Sequence, residues 1–229
     1  MHPSHQERGA SLTMSSRVNN GSDENLVIIV DDDTELCEAL ADLLSSVGIE
    51  SVNFHSTRDL LSATLPDRPG CVVLDVRLPG TSGLDLPTQL NASANPRPVI
   101  FLTGHGDIAM AVRAMKAGAV DFLTKPVRDQ DILDAVFAAT ARDRARRRTE
   151  TEIKRVAALA AALTPREREV ACALTRGLMN KQIAHELGIT EITVKLHRGN
   201  VMRKMQAQSA VDLTRKAMLI GTERLTHPS

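Results

Sequence analysis

Tryptophan and tyrosine are absent from this chain, and its four phenylalanines (Phe54, Phe101, Phe122, Phe137) all lie in the first 137 of 229 residues. A C-terminal part without Phe, Tyr or Trp argues against RNA or single-strand readers, which work by stacking bases on such rings. Cysteine is scarce too. Cys37, Cys71 and Cys172 are odd in number and far apart, which excludes a disulfide framework or a cysteine zinc cluster and fits a reducing cytoplasm. No apolar run approaches the roughly 18 residues that span a bilayer, and the N-terminus has no secretory apolar segment, so no membrane partner is expected. His2 and His5 have nothing nearby to complete a metal site.

Neither charge sign is in excess, with 28 basic and 28 acidic residues, but the two are unevenly placed. Residues 24–130 carry 8 Lys or Arg and 15 Asp or Glu, a net of −7, whereas residues 131–229 carry 18 and 11, a net of +7. Two domains are expected, the second with an anionic partner. Ahead of them, residues 1–23 are polar, rich in Ser and Asn and aperiodic, the composition of a disordered tail; Met14 is an alternative start.

What is present between residues 26 and 124 is alternation. Leu26–Val30 is a β-prone run that stops at Asp31-Asp32-Asp33, after which Leu36, Leu40, Leu43, Leu44 and Val47 recur at helical spacing up to Gly48. Val52 and Phe54 mark a second strand, and a helix over 58–65 ends at Pro66. Cys71-Val72-Val73-Leu74 reads as a strand buried on both faces and stopping at Asp75. A helix over 84–90, a strand over 99–102 ending at Thr103, a helix over 108–117 stopped by Gly118 and a strand over 120–123 leading into Thr124-Lys125-Pro126 complete the pattern. Five such alternations predict an α/β fold with a five-stranded, doubly wound parallel sheet, and its size suits the flavodoxin-like order 2-1-3-4-5.

In a parallel sheet the strand ends share one edge, which gathers Asp31, Asp32, Asp75, Thr103 and Lys125. Two carboxylates 4 Å apart repel by about 4 kcal/mol at an effective dielectric of about 20. Such a cluster needs a cation, and oxygen ligands with open water positions suit Mg²⁺. Asp33 reads as the N-cap of the helix that follows.

The runs Ile29-Val30-Asp31-Asp32-Asp33, Val73-Leu74-Asp75-Val76-Arg77-Leu78-Pro79-Gly80, Leu102-Thr103-Gly104-His105-Gly106 and Phe122-Leu123-Thr124-Lys125-Pro126 resemble receiver domains of two-component response regulators. The resemblance covers roughly residues 25–140 and its four motifs occur in order. It implies that Asp75 accepts a phosphoryl group from a sensor histidine kinase. Asp32, Asp75 and the backbone carbonyl of Arg77 would ligate Mg²⁺, with Asp31 acting through metal-bound water. Lys125 would pair with phosphate oxygens, Thr103 would bond the phosphate, Phe122 would be the switch aromatic, and the Lys125-Pro126 bond would be cis. Arg77 and His105 then flank the path of attacking water or are solvated loop residues.

From Asp131 to Ala162 the chain lacks Pro and Gly and is rich in Ala and Arg, which favours one long helical linker; the basic run Ala141–Arg148 reads first as its solvated face, with contact to DNA the alternative. Thr164-Pro165-Arg166-Glu167 then opens a second domain with an N-cap, Pro at the first helical position and a box-like acid. Helices are expected over 165–176, 180–187, from Thr190 with Ile192, Val194, Val201, Met202 and Met205 as its apolar face, and from Ser209 to Ile220, with glycines in the turns. This is the helix-turn-helix pattern. Residues 163–221 resemble the output domain of NarL/FixJ (LuxR-type) regulators through Leu163-Thr164-Pro165-Arg166-Glu167-Arg168-Glu169-Val170, Asn180-Lys181-Gln182-Ile183-Ala184 and Thr193-Val194-Lys195-Leu196-His197-Arg198. Thr103-Gly104-His105-Gly106-Asp107 is similar to the FixJ-like branch.

The resemblance places a recognition helix, beginning near Glu191, in the major groove of double-stranded promoter DNA. Lys195, Leu196, His197, Arg198 and Asn200 are its candidate reading surface, with Lys181, Thr190, Thr193 and Lys204 positioning phosphates. The chain is thus expected to hold a disordered tail (1–23), a receiver (24–140), a helical linker (141–162) and a DNA-binding domain (163–229). Phosphorylation would repack the receiver face and favour a homodimer on paired half-sites, with RNA polymerase a further candidate partner. Two rivals stand beside this. An aspartyl-phosphate phosphatase resembles D-x-D, but Arg77 occupies the second acid's position. The other is a constitutive DNA-binding regulator whose receiver only dimerises.

Overall fold

Five parallel strands form one sheet in the order β2-β1-β3-β4-β5: β1 (Leu26–Val30), β2 (Glu50–Phe54), β3 (Gly70–Asp75), β4 (Val99–Thr103) and β5 (Asp121–Thr124). They belong to a computed structural model that describes residues 25–78, 96–104, 112–113, 115–116, 118–221 and 225. The chain divides into two compact units between Ala145 and Arg146. The expected tail (1–23), the expected helix over 84–90 and His105 lie outside the described residues. Of the expected helix over 108–117, only Val112, Arg113, Met115 and Lys116 are described, and these are helical.

The first unit is layered because β1, β3 and β4 are fully buried while their side chains alternate between two faces. Val27, Ile29, Cys71, Val73, Ile100 and Leu102 meet helix α1 (Thr34–Ser46) through Cys37, Leu40 and Leu44, and helix α3 (Asp129–Ala161) through Ile132, Val136 and Ala139. The other face, with Ile28, Val30, Val72, Leu74 and Phe101, packs with Leu60 of helix α2 (Thr57–Ser62) and with Phe54 and Val76. Burial of this kind contributes about 25 cal/mol per Å² of apolar surface removed from water.

Local chemistry sets the helix limits. Asp33 Oδ1 accepts from Leu36 N (3.1 Å) and caps α1, as its position implies. Helix α2 is shorter than the expected 58–65. Ala63 is already extended, because Leu65 precedes Pro66 and is driven out of the αR region, which removes the last turn. β5 lies one residue further along than expected, since its pairing with β4 runs through Thr103 and Thr124.

Register carries the polar residues to one edge. Val30, Leu74, Phe101 and Phe122 form one cross-strand row, and Asp75 pairs with Leu102 and Leu102 with Leu123 in the next. Asp31 follows Val30 directly, so it enters that second row, and Thr103 and Lys125 lie just beyond.

The second unit begins within α3 and continues through α4 (Pro165–Thr175), α5 (Asn180–Leu187), α6 (Glu191–Lys204) and α7 (Ala210–Ile220). Its core is Val156, Leu163, Val170, Leu174, Ile183, Val194, Val201, Met205, Leu213 and Ile220. Thr164 and Glu167 form the capping box at α4 (Thr164 N to Glu167 Oε2 2.8 Å, Glu167 N to Thr164 Oγ1 3.3 Å). Gly188, at φ 63°, ends α5 in the left-handed region where L side chains are strained. Thr190 and Ser209 cap α6 and α7.

At the opposite sheet edge, Gly70 N donates to Oδ2 of the buried Asp143 on α3 (3.1 Å). A Cβ built on Gly70 would lie 1.8 Å from the carbonyl oxygen of Leu26. Gly70→Ala is therefore expected to force β1 and β3 apart and to destabilise the receiver unit by about 3 kcal/mol or more, read as faster amide exchange along both strands. Unchanged protection there would contradict this packing.

Candidate functional site

The acidic pocket is assembled from the ends of three strands. Asp31 follows β1, Asp75 ends β3, and Lys125 follows β5. Lys125 Nζ donates to Asp31 Oδ2 at 2.6 Å and to Asp75 Oδ2 at 2.5 Å. Each carboxylate spends its other oxygen on a backbone amide: Asp33 N donates to Asp31 Oδ1 (3.0 Å), and Arg77 N donates to Asp75 Oδ1 (2.7 Å). Asp31 and Asp75 are buried, whereas Asp32 is exposed at the rim.

Burial pushes the Asp31 carboxyl above the usual carboxylate range against the pull of Lys125. Burial alone would lower Lys125, but its bonds to two carboxylates outweigh that and hold the ammonium above its ordinary value. One ammonium therefore counters two carboxylates while the third faces water. Asp31, Asp32 and Asp75 each offer an oxygen within 4.8 Å of the others, a hard-oxygen set that fits a small divalent cation with open water positions.

Thr103 is fully buried at the end of β4, and its carbonyl accepts from Lys125 N at 2.6 Å. Phe122 is half-buried and packs against the Leu74–Phe101 face. The Lys125-Pro126 peptide is cis. Arg77 is exposed, and its amide is the group engaged with Asp75. One neighbour went unread in the sequence: the His55 ring Nδ1 lies 3.1 Å from the Asp31 carbonyl oxygen. A lone polar residue just past a strand carries no signal of such a contact.

In the second unit α5 and α6 form the helix-turn-helix. Lys181, Thr190, Lys195 and Leu196 are exposed, and Thr193, His197, Arg198 and Asn200 are half-buried. Thr190 Oγ1 caps Thr193 N (3.2 Å) and lies 2.8 Å from Thr193 Oγ1, and Arg198 donates to Asn180 Oδ1 (3.2 Å). One expectation changes. Ile192, placed on the apolar core face, is 80% exposed. It stands two residues before Val194, about 200° away around the helix. Lys204, expected on DNA phosphates, donates to Glu167 Oε2 (2.6 Å) and to the Ala162 carbonyl (3.1 Å). Lys216, buried on α7, donates to the carbonyls of Met205 (3.2 Å) and Gln206 (2.5 Å) and so caps the C-terminal end of α6.

The arrangement is that of a receiver joined to a helix-turn-helix effector. The family model for the response regulator receiver domain matches residues 27–137, and that for bacterial regulatory proteins of the luxR family matches residues 161–217. The chain belongs to the response regulators that combine a receiver with a LuxR-type DNA-binding domain; these regulate transcription and are not enzymes. Its relatives include Nodulation protein W of Bradyrhizobium diazoefficiens, 52% identical over 87% of this chain and 88% of that protein. Transcriptional regulatory protein FixJ of Azorhizobium caulinodans is 46% identical over 85% and 92%. Among solved structures, that of the response regulator StyR superposes with a TM-score of 0.75 at 44% identity, covering 85% of this chain and 98% of that one. Full-length FixJ from B. japonicum gives 0.52 at 38% identity over 87% and 98%. Among the described residues no helix is long and apolar enough to cross a membrane.

Glu167 is nearly inaccessible, and burial pushes its carboxyl up, but Lys204 and the Thr164 cap outweigh this and hold it below its ordinary value of 4.5. The pair's stabilisation is therefore present above pH 4.5 and lost as pH falls through the lowered pKa. Lys204→Met is expected to destabilise the effector unit by about 2 kcal/mol at neutral pH, less than a fully buried pair because Lys204 is partly exposed. Denaturant unfolding should show this gap closing in acid; full stability with weakened DNA binding would leave Lys204 the phosphate role alone.

Proposed function

We propose that the acidic pocket is the phosphorylation site, with Asp75 as acceptor. The observation that supports this most is the Lys125 ammonium held between Asp31 and Asp75. An Asp75 oxygen would attack the phosphorus of a phosphohistidine on a sensor kinase; the P–O bond forms as the P–N bond breaks, and the imidazole leaves with a proton from solvent. Lys125 would then turn from Asp75 to the incoming phosphoryl oxygens and spread their charge. Asp31, Asp32, Asp75 and the Arg77 carbonyl would hold Mg²⁺, which would neutralise charge on the transferring group.

Thr103 and Phe122 would carry the change outward. The Thr103 hydroxyl, buried at the strand end, would bond the phosphoryl oxygens, and the half-buried Phe122 would take up the space released beside it. The boundaries that suit this reading are 24–140 for the receiver, 141–162 for the linker and 163–229 for the effector. The phosphorylated chain would dimerise in the cytoplasm and bind paired half-sites of promoter DNA within reach of RNA polymerase. Lys195, Leu196, His197, Arg198 and Asn200 would face the bases, with Lys181, Thr190, Thr193 and Lys204 toward the backbone.

Incubation with Mg²⁺ and a small-molecule phosphodonor, followed by intact mass, tests the acceptor. A single phosphoryl adduct is expected on the wild type and none on Asp75→Asn. Modification of both would move the acceptor elsewhere.

A further inference from the structure

Helix α6 turns Val194 and Val201 into the core, with Met205 buried at its C-cap, and its outer side carries an uncommon surface. Ile192 is 80% and Leu196 64% exposed, and Lys195, Gly199 and Arg203 are exposed with them. At helical spacing these five residues share a stripe about 100° wide. Ile192 and Leu196 stand one turn apart, so they present a single apolar ridge on a stripe that also carries two cations. One exposed aliphatic side chain is ordinary; a pair on the outer face of the recognition helix is not needed by the fold.

Gly199 is a second and independent observation on the same stripe. Glycine is a poor helix former, yet it lies in the middle of α6. Its φ is not positive, and an added Cβ would meet nothing within 4 Å. Neither backbone conformation nor internal packing requires glycine there. Such a position suits the close approach of an outside molecule to the backbone.

We propose that Ile192 and Leu196 read the C5-methyl groups of thymines in the major groove, and that Gly199 lets α6 lie close against the base edges. This rests on the DNA-binding reading above. The chemistry matches: thymine is the base that presents an apolar group in that groove, and Arg203 supplies a cation beside it for a flanking phosphate. The ridge thus selects sequence while the cation supplies affinity that any duplex would share.

The test uses the full-length chain, phosphorylated and enriched on a random duplex library. Each thymine of the selected site is then replaced by deoxyuridine, which pairs identically and lacks the methyl. One or two replacements per half-site should weaken the wild type about fourfold per methyl. Ile192→Ala and Leu196→Ala should each bind the thymine duplex more weakly and lose sensitivity at one of those positions. Gly199→Leu should melt higher, because leucine favours helix, while binding the selected site about tenfold or more weakly. Wild-type indifference to every replacement, undiminished discrimination by both alanine variants, or unchanged binding by Gly199→Leu would overturn the assignment. So would a mass in solution that falls on Ile192→Ala without DNA, which gives the ridge to a second copy of the chain. Failure to enrich any duplex would sink the DNA-binding reading itself.

Discussion

One ammonium group holds the sheet edge together. Asp31 and Asp75 are carried to neighbouring strand ends by the β1–β3 register, and both are buried. Unrelieved, that proximity would cost several kcal/mol even at a generous dielectric, by the scale of about 4 kcal/mol per pair at 4 Å. Lys125 relieves it by reaching both carboxylates, and it can do so because β5 is the far neighbour of β4 and ends at the same height. The relief is incomplete: Asp32 adds a further charge at the rim. On the proposed reading, a pocket balanced in this way would take a cation and would accommodate a phosphoryl group only as Lys125 shifts its bonds. The constraint that assembles the site would then also make it responsive.

The effector unit is organised by a different means. Its short helices are secured at their ends: Thr164, Thr190 and Ser209 cap from within the local sequence, and Lys216 caps the last turn of α6 from another helix. Helices of this length are marginal alone, so fixed ends and a shared core orient α6. A helix held by its inner face and its termini leaves its outer face free of structural duty. That freedom accounts for an isoleucine, a leucine and a glycine occurring where the fold asks for none of them.

Much of this was legible in the residues. The apolar runs that stop at Asp31, Asp75 and Thr103 announce both the strands and their polar edge, because a parallel sheet can turn all its ends only one way. The caps at Thr164 and Thr190 mark helix starts through side-chain chemistry that acts over three residues. Contacts that span the chain were not legible. Nothing local links Lys204 to Glu167, 37 residues away, or Gly70 to Asp143, 73 residues away. Ile192 differs for a simpler reason: its apolar character suggests the core, but the spacing of Val194, Val201 and Met205 puts it on the opposite side of the helix.

On the proposed reading, chemistry at the acidic pocket controls DNA binding. The affinity of the full-length chain for its selected duplex, measured with and without phosphodonor for the wild type and Asp75→Asn at one salt concentration, decides this. A gain of about tenfold on the wild type, within the usual range of allosteric coupling, and none on Asp75→Asn is the expected result. Equal affinity before and after stoichiometric phosphorylation would contradict control by the pocket and favour a constitutive regulator whose receiver serves only to dimerise.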